Sequence, residues 1–312
     1  MNTLHLHTPK SPLGDLGVNI SRTMKRILFI SILLITCMLH GFSQEEIKLY
    51  PNGATESNEL KNDEKWRDKD FLVDISEPRM YAYIVPKEKA NGTAVVICPG
   101  GGYSGVSAVK EGAEIAKWFN ELGVSAFVLY YRMPNGHYEI PLKDAQTALS
   151  IVQKRAKEWN INKKKIGIMG FSAGGHLAST VGTHFKNKKE RPAFMILGYP
   201  VVTMDKNLTH QGSRDNLLGK NLSDELVKQF SNELRVTKKT PPTFIVHAKD
   251  DKAVPIENSE NLLKALQKNK VRAELQVYEA GGHGFGMRKK GIPADHWDEK
   301  LKEWLKKEKL AP

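Results

Sequence analysis

Short apolar runs alternate along the chain with stretches in which apolar residues recur every three or four positions. The runs are apolar at nearly every position, which is typical of strands buried on both faces of a sheet. The stretches between them have the length and period of amphipathic helices. This alternation predicts an α/β fold with a mainly parallel central sheet and helices on both faces. The predicted strands lie within residues 80–86, 93–102, 124–131, 165–172, 193–200, 243–251 and 273–284.

Two stretches break the alternation. Residues 203–240 lie between two predicted strands and contain no strand pattern of their own. An insertion at that point would lie over the carboxyl edge of the sheet, where open α/β folds bind ligands, and we interpret it as a small cap. Residues 44–70 are polar and have no period, so we expect a polar lead-in before an α/β domain that spans residues 71–312.

Residues 24–43 have the three parts of a secretory signal peptide. Lys25 and Arg26 form the basic start. Residues 27–39 form the apolar part, and small residues precede the predicted cleavage point after Ser43. The apolar part is shorter than the roughly 20 residues that a membrane-spanning helix needs. We therefore expect cleavage, a secreted or periplasmic protein, and no stable membrane span after cleavage.

Other expectations concern the same end of the chain. A retained anchor and lipidation of Cys37 are the alternatives to simple cleavage. Residues 1–23 are interpreted as an over-extended N-terminus, with Met24 as the initiator. Beyond the signal peptide the sequence has a single cysteine, Cys98, so no disulfide framework is expected in spite of export.

The chain is basic, with a formal net charge of +12 at pH 7. Positions 1–43 hold four basic residues and one acidic residue, so +9 remains after cleavage. The lysines cluster beside helix-like or loop segments, which indicates solvated faces; attraction to acidic glycans or an anionic surface is the alternative. No nucleic-acid-binding motif is present. Metal-ligand spacing is also missing, because the one H-x-H pair precedes the signal peptide, and we expect no metal and no cofactor.

Ser172 lies where the apolar run 165–172 gives way to helix-forming residues, in the sequence GFSAG. A serine hydroxyl becomes a useful nucleophile when a tight strand-to-helix turn exposes it beside a base. Such a turn crowds the backbone, and Gly170 and Gly174 meet the need for small neighbours. The N–H of Ala173 would then face a developing oxyanion. The pattern predicts a nucleophile; a structural turn with an idle serine is the alternative.

A second oxyanion donor is expected from the loop that follows an earlier strand. Three glycines, residues 100–102, directly follow the run TAVVICP. Glycines leave N–H groups unshielded, and either Gly101 or Gly102 is the predicted donor. The competing interpretation is a phosphate-binding loop, but the lysine and the spacing of such loops are missing.

His283 is the predicted base. It follows the last predicted strand in the sequence EAGGHGFG, and the flanking glycines free its ring to approach Ser172. The acid that orients this ring is expected after the strand within residues 243–251, where both Asp250 and Asp251 are candidates. Along the chain the candidates occur in the order serine, aspartate, histidine. This is the order of the catalytic residues in one hydrolase fold, and it differs from their order in two other serine-protease folds.

The remaining histidines have other interpretations. His176 is one turn into the helix that follows Ser172 and is expected to pack in the core. Three residues are expected as possible pocket residues around the nucleophile, namely Tyr103, His137 and His210.

At these residues the chain resembles the α/β-hydrolases, and more closely the secreted carbohydrate esterases of the acetylxylan-esterase type, over roughly residues 75–305. The resemblance rests on CPGGGYSG, LYYRMP, GFSAGGHLAS, HAKDDKAVPIENS and GGHGFG, in that order. It implies an α/β-hydrolase fold. It also implies that the acid is the aspartate of the D-x-x-V-P string, which here is Asp251. Pro99 stands where many lipase-like relatives have histidine, which weakens any inference about lipid substrates.

The resemblance further implies a serine esterase that removes acetyl or small acyl groups from a plant polysaccharide such as xylan. The expected partner is therefore an acetylated polysaccharide or oligosaccharide. Two other functions fit the same residues: a prolyl-oligopeptidase-like serine peptidase, and a non-catalytic glycan-binding protein with a hydrolase fold. The first usually carries a large propeller ahead of the catalytic domain, and the second usually lacks a member of the triad.

Overall fold

The computed structural model describes residues 44–220 and 222–312. The predicted signal peptide and the residues before it lie outside this part. The strands are β1 (Gln44–Lys48), β2 (Lys65–Trp66), β3 (Leu72–Val73), β4 (Arg79–Tyr83), β5 (Ala94–Cys98), β6 (Gly105–Val106), β7 (Ser125–Tyr130), β8 (Ile166–Phe171), β9 (Met195–Gly198), β10 (Thr243–Ala248) and β11 (Ala273–Tyr278). The helices are α1 (Glu114–Glu121), α2 (Glu139–Arg155), α3 (Ser172–Thr183), α4 (Gln211–Leu218), α5 (Asp224–Phe230), α6 (Glu257–Lys268) and α7 (Trp297–Lys307).

Eight strands form one sheet in the order β1-β4-β7-β5-β8-β9-β10-β11. The strands from β7 to β11 in this order are parallel, and β4 and β1 extend the sheet antiparallel at one side. Each predicted strand region overlaps one of these strands, and the predicted mainly parallel sheet is confirmed. The loops that follow β5, β8, β10 and β11 consequently leave the sheet at the same edge.

The core lies between this sheet and the helices around it. Every residue of β5, β7 and β8 is buried, as the uninterrupted apolar runs predict. The C-terminal helix α7 packs Trp304 against Phe194 and Phe244, with ring centroids 6.3 and 5.8 Å apart. Aromatic contacts of this kind bury large apolar areas and anchor the last helix to the sheet.

Residues 44–70 differ from the expected lead-in, because they form part of the folded domain. β1 is the edge strand of the main sheet and pairs antiparallel with β4. β2 pairs with β3, which pairs with β6, in a second sheet of three short strands. The side-chain amide of Asn58 donates to the carbonyls of Ile75 and Met133 at 3.1 and 2.8 Å. Hydrogen bonds to distant backbone groups therefore order this segment, and such bonds leave no period in the sequence.

A buried ion pair joins the end of β7 to α2. Arg132 and Asp144 are 1% and 0% exposed, and their side chains approach to 2.6 Å. The guanidinium donates to both carboxylate oxygens, and the backbone N–H of Arg132 donates to the same carboxylate at 3.0 Å. Removal of either partner would leave an uncompensated charge in the core.

The insertion 203–240 forms α4, α5 and a short 3₁₀ turn at Asn232–Arg235, and none of its described residues belongs to a strand. Asn216 on α4 donates its amide to the carbonyl of Gly102 at 2.8 Å. The first helix of the insertion therefore lies beside the loop that follows β5. Within residues 44–220 and 222–312, no helix combines the length and the apolar character needed to cross a membrane.

Candidate active site

Ser172 lies at the junction of β8 and α3 with a left-handed backbone, φ 51°. The two flanking glycines are required by contacts of the backbone with itself. A Cβ at Gly170 would collide with the carbonyl of Gly174, and a Cβ at Gly174 would collide with the carbonyl of Cys98. The strained turn places the serine hydroxyl at the carboxyl edge of the sheet, as predicted for a nucleophile elbow.

Ser172, His283 and Asp251 are brought together by three different loops. The Ser172 Oγ lies 2.8 Å from His283 Nε2, and His283 Nδ1 lies 2.7 Å from Asp251 Oδ2. A carboxylate oxygen can only accept, so Nδ1 carries the proton and Nε2 accepts from the serine hydroxyl. This arrangement is the one in which a histidine acts as general base toward a serine.

The Asp251 carboxylate is completely buried and receives four hydrogen bonds. Its Oδ1 accepts from the backbone N–H groups of Ala253 and Val254, each at 2.9 Å. Its Oδ2 accepts from His247 at 3.1 Å as well as from His283. Burial alone would raise the pKa of Asp251, but the hydrogen bonds from the two histidines outweigh it, so the pKa lies well below the usual range. The carboxylate therefore stays ionised and holds the His283 ring in one orientation.

His247 supports the acid and was not predicted to do so. Its Nε2 lies 3.0 Å from the carbonyl of Val254 and 3.1 Å from Asp251. Both partners are acceptors, so Nε2 carries the proton and Nδ1 accepts from the Ser259 hydroxyl at 2.7 Å. A usable signal exists in the sequence, because a histidine near the end of a predicted buried strand, four residues before the acid, needs a polar partner.

Asp250 and Asp251 have different partners. The Asp250 carboxylate accepts from the backbone N–H groups of Gly281 and Gly282 at 2.9 and 2.7 Å. These two glycines begin the loop that carries His283. Asp251 thus contacts the imidazole, as the resemblance implied, and Asp250 fixes the loop on which the imidazole lies.

The glycine loop after β5 has unpaired N–H groups and lines the same cavity as Ser172. The N–H of Gly100 donates to Glu111 at 2.8 Å, which removes it as an oxyanion donor. No acceptor for the N–H of Gly101, Gly102 or Ala173 occurs among the residues that the structure describes. Gly101 and Gly102 have positive φ, 152° and 64°, and both line the cavity that contains Ser172. The two predicted loop donors remain equivalent candidates.

Glu111 links this loop to the loop of His283. The residue is buried on a π-helical turn, Val109–Ala113, that leads into α1. Its Oε1 accepts from the Tyr199 hydroxyl at 2.8 Å, and that hydroxyl accepts from the N–H of Gly286 at 3.2 Å. The Tyr199 ring packs edge-to-face on His283 with centroids 5.0 Å apart. Sequence reasoning missed Glu111, because a glutamate at the start of a helix normally faces solvent.

Ser172 opens into a cavity of about 460 Å³ with two contrasting walls. One wall is formed by residues that come directly after β2 in the chain. It includes Phe71, and the Arg67 guanidinium lies 3.9 Å above the Phe71 ring centroid. The opposite wall comes from the insertion and includes His210 and Asn216. The polar segment before the α/β strands and the cap-like insertion therefore build the pocket together.

Two of the three predicted pocket residues do not line this cavity. Tyr103 is 2% exposed, and its hydroxyl lies 2.9 Å from His176 Nδ1. Its left-handed backbone, φ 58°, turns the ring away from the cavity and into the core. His137 lies at the surface with Nε2 3.6 Å from a Glu59 carboxylate oxygen. Of the three, His210 alone lies in the cavity.

His176 packs in the core as predicted. It is fully buried, and its Nε2 lies 2.8 Å from the carbonyl of Phe230. Burial lowers the pKa of His176 to about 4. Among the described residues, no group of three or more His, Cys, Asp and Glu side chains is arranged to hold a metal ion.

A nucleophile elbow at the carboxyl edge of a parallel sheet, with its histidine and acid after later strands, defines an α/β-hydrolase-fold protein. The chain belongs to the BD-FAE family, whose model matches residues 80–266. The resemblance noted from the sequence motifs is thereby confirmed.

Individual relatives agree with this assignment. The chain is 38% identical over 239 residues to an acetylxylan esterase of Xylanibacter ruminicola, covering 75% of this chain and 49% of that protein. It is 33% identical over 261 residues to endo-1,4-beta-xylanase B of Butyrivibrio fibrisolvens, covering 78% and 40%. The crystal structure of an acetyl ester-xyloside bifunctional hydrolase from Caldicellulosiruptor lactoaceticus superposes with a TM-score of 0.74 at 36% identity, covering 86% of this chain and 97% of that one. The chain thus spans half or less of the length of these two curated relatives.

Proposed function

We propose that the protein is a serine carboxylic ester hydrolase that removes acetyl groups from xylan or a related plant polysaccharide. The observation that carries this proposal is the continuous contact from Ser172 through His283 to Asp251, at 2.8 and 2.7 Å, beside unpaired N–H groups. The relatives named as an acetylxylan esterase and an acetyl ester-xyloside hydrolase support the choice of substrate.

In the proposed reaction, the Ser172 Oγ attacks the ester carbonyl while His283 Nε2 takes the hydroxyl proton. The carbonyl oxygen becomes negatively charged and is stabilised by the N–H of Ala173 together with that of Gly101 or Gly102. His283 then donates the proton to the sugar oxygen as the carbon–oxygen bond breaks. The products of this half-reaction are the free sugar hydroxyl and an acetyl ester on Ser172.

Water completes the cycle by the same route. His283 takes a proton from the water as its oxygen attacks the acetyl-serine, and returns that proton to Ser172 Oγ when acetic acid leaves. Asp251 stays ionised throughout and stabilises the imidazolium that forms in each half-reaction. A polysaccharide substrate also fits the proposal that residues 24–43 direct export, which N-terminal sequencing of the exported protein would check.

The decisive experiment measures acetate release from acetylated xylan beside hydrolysis of 4-nitrophenyl acetate. We expect both activities in the wild-type protein, and a loss of about 10³-fold or more in Ser172→Ala. Activity should persist in chelator, because none of the proposed steps needs a metal ion. Hydrolysis of the aryl ester alone would contradict the polysaccharide substrate, and equal activity in Ser172→Ala would contradict the serine mechanism.

A further inference from the structure

His210 caps the first helix of the insertion. Its backbone is extended, and its Nδ1 accepts from the backbone N–H of Ser213 at 3.1 Å, while the Ser213 hydroxyl lies 2.9 Å away. A backbone N–H can only donate, so Nδ1 holds a lone pair. The hydrogen of the neutral imidazole is therefore on Nε2. The helix cap thus sets the tautomer of this ring.

The same ring faces the cavity of Ser172. His210 and the two reacting groups, Ser172 and His283, line one cavity. The His210 Cε1, which lies between the two ring nitrogens, would be 3.6 Å from a Cβ on Gly102, so the ring edge lies beside the oxyanion loop. No acceptor for His210 Nε2 occurs within the described ranges 44–220 and 222–312. Because His210 lines the cavity, its Nε2–H is available to a molecule bound there.

The helix α4, which His210 caps at its start, is also held in place near its end by Asn216. Asn216 donates its amide to the Gly102 carbonyl at 2.8 Å, and its own carbonyl accepts from the N–H of Gly136 at 2.9 Å. Burial lowers the pKa of His210, and a positive charge on His283 would lower it further. The ring therefore stays neutral at neutral pH and keeps its Nε2–H as its one donor.

A sugar ester and an aryl ester differ in the groups that they place beside His210. When an ester carbonyl lies at the oxyanion loop, the alcohol half of the ester extends into the rest of the cavity. A sugar places hydroxyl and ring oxygens around its esterified carbon, and each can accept a hydrogen bond. An aryl alcohol offers no such oxygen near the ester bond. A donor beside Gly102 would thus favour the sugar ester.

We propose that the Nε2–H of His210 donates a hydrogen bond to an oxygen of the esterified sugar, which makes His210 a specificity-determining residue for carbohydrate esters. This inference rests on the proposed esterase function. It assigns to the insertion a direct part in selecting the substrate, in addition to its contact with the oxyanion loop.

Two variants separate the donor from the helix cap. Asparagine is among the best N-cap residues, so His210→Asn keeps an acceptor for the Ser213 N–H but loses the donor that reaches the cavity. His210→Ala loses both. Gln211→Ala is the matched control, because Gln211 is the exposed neighbour on the same helix and does not line the cavity. Thermal unfolding should show His210→Asn close to wild type and His210→Ala destabilised.

The first measurement is the ratio of kcat/KM for an acetylated xylo-oligosaccharide to kcat/KM for 4-nitrophenyl acetate. One hydrogen bond to a neutral partner predicts a fall of about 3- to 10-fold in this ratio, in both His210 variants and not in Gln211→Ala. A wild-type ratio in His210→Asn would show that His210 only caps the helix. An equal loss on both esters would show a general effect on the reaction. Either result would overturn the inference.

The second measurement does not depend on acetate release from xylan. Unacetylated xylo-oligosaccharide should inhibit 4-nitrophenyl acetate hydrolysis competitively, and His210→Asn should raise its inhibition constant by a similar factor. Inhibition that weakens in the variant supports the inference even if acetylated xylan proves not to be a substrate, in which case only the proposed function fails. Inhibition that is absent, or equal in the two proteins, overturns the inference.

Discussion

The side chains of Asp144 and Asp251 are both completely buried, and their surroundings differ in one decisive respect. Asp144 faces the permanent cation of Arg132 at 2.6 Å, so the pair is neutral as a whole. Asp251 faces two imidazoles and two backbone N–H groups, so its negative charge is not cancelled. A cation partner suits a carboxylate that holds a fold together. Neutral donors suit a carboxylate that, in the proposed reaction, stabilises a charge formed later on His283.

The largest effect that this comparison predicts is on turnover. Asp251→Asn should lower kcat for 4-nitrophenyl acetate by about 10⁴-fold, because the amide cannot stabilise the imidazolium and favours the wrong tautomer of His283. Circular dichroism should show a folded protein, since the side-chain shape is kept. A loss of less than 10-fold would show that the ionised acid is not needed.

The structural aspartate should show the opposite behaviour. Asp144→Ala leaves the buried Arg132 without a partner and should lower the free energy of unfolding by about 3–5 kcal/mol. The fraction that folds should keep its kcat, and urea unfolding with activity assays on the native baseline measures both quantities. The double variant Arg132→Met with Asp144→Leu should recover much of the loss, because no unpaired charge remains. A change below 1 kcal/mol in Asp144→Ala would contradict the assigned structural role.

Two histidines near Ser172, His176 within α3 and His283 on the loop after β11, sharpen the contrast. His283 can exchange a proton with Ser172, whereas both nitrogens of His176 are satisfied by Tyr103 and Phe230 and its pKa lies at about 4. An unfolded histidine titrates near 6.5, so between pH 6.5 and 4 the unfolded chain binds a proton that the native protein does not. The contribution of the neutral His176 to the free energy of unfolding is therefore complete above about pH 6.5, and it falls as the pH is lowered through this window.

The size of this effect is set by the pKa shift, and for His176 alone it amounts to roughly 3 kcal/mol by pH 4. His176→Gln removes the titrating group. The difference in free energy of unfolding between the wild-type protein and the variant should become smaller by about this amount from pH 7 to pH 4. Urea unfolding at several pH values measures this difference. Parallel pH dependences in the two proteins would contradict a neutral buried His176.

Local demands on the backbone made much of the fold and site predictable. The strands that other elements cover on both faces are apolar throughout, so each run could be identified in the sequence. Ser172 and His283 could be identified because glycines flank both residues. The glycines relieve backbone crowding at Ser172 and leave the His283 ring free to turn, and both effects depend on adjacent residues alone. Asp250 and Asp251 could not be separated on the same basis, because neighbouring side chains leave a strand end in different directions that only the fold defines.

The features that sequence reasoning missed depend on distant partners. Asn58 orders the polar N-terminal segment by reaching the carbonyl of Met133, far along the chain. Glu111 acquires its role from Gly100 and Tyr199, which lie on two other loops. Tyr103 is a predicted pocket residue that the structure places in the core, and its left-handed backbone cannot be foreseen from a residue type that seldom adopts it.

The left-handed backbone of Ser172 has a consequence for redesign of the protein. For a residue with a side chain, this conformation is unfavourable by roughly 1–2 kcal/mol, and glycine would adopt it without strain. A procedure that ranks substitutions by stability alone would therefore favour glycine at position 172 and discard the proposed nucleophile. Any engineered or consensus version of the chain has to hold this position constant, because the fold by itself gives no reason to keep the serine.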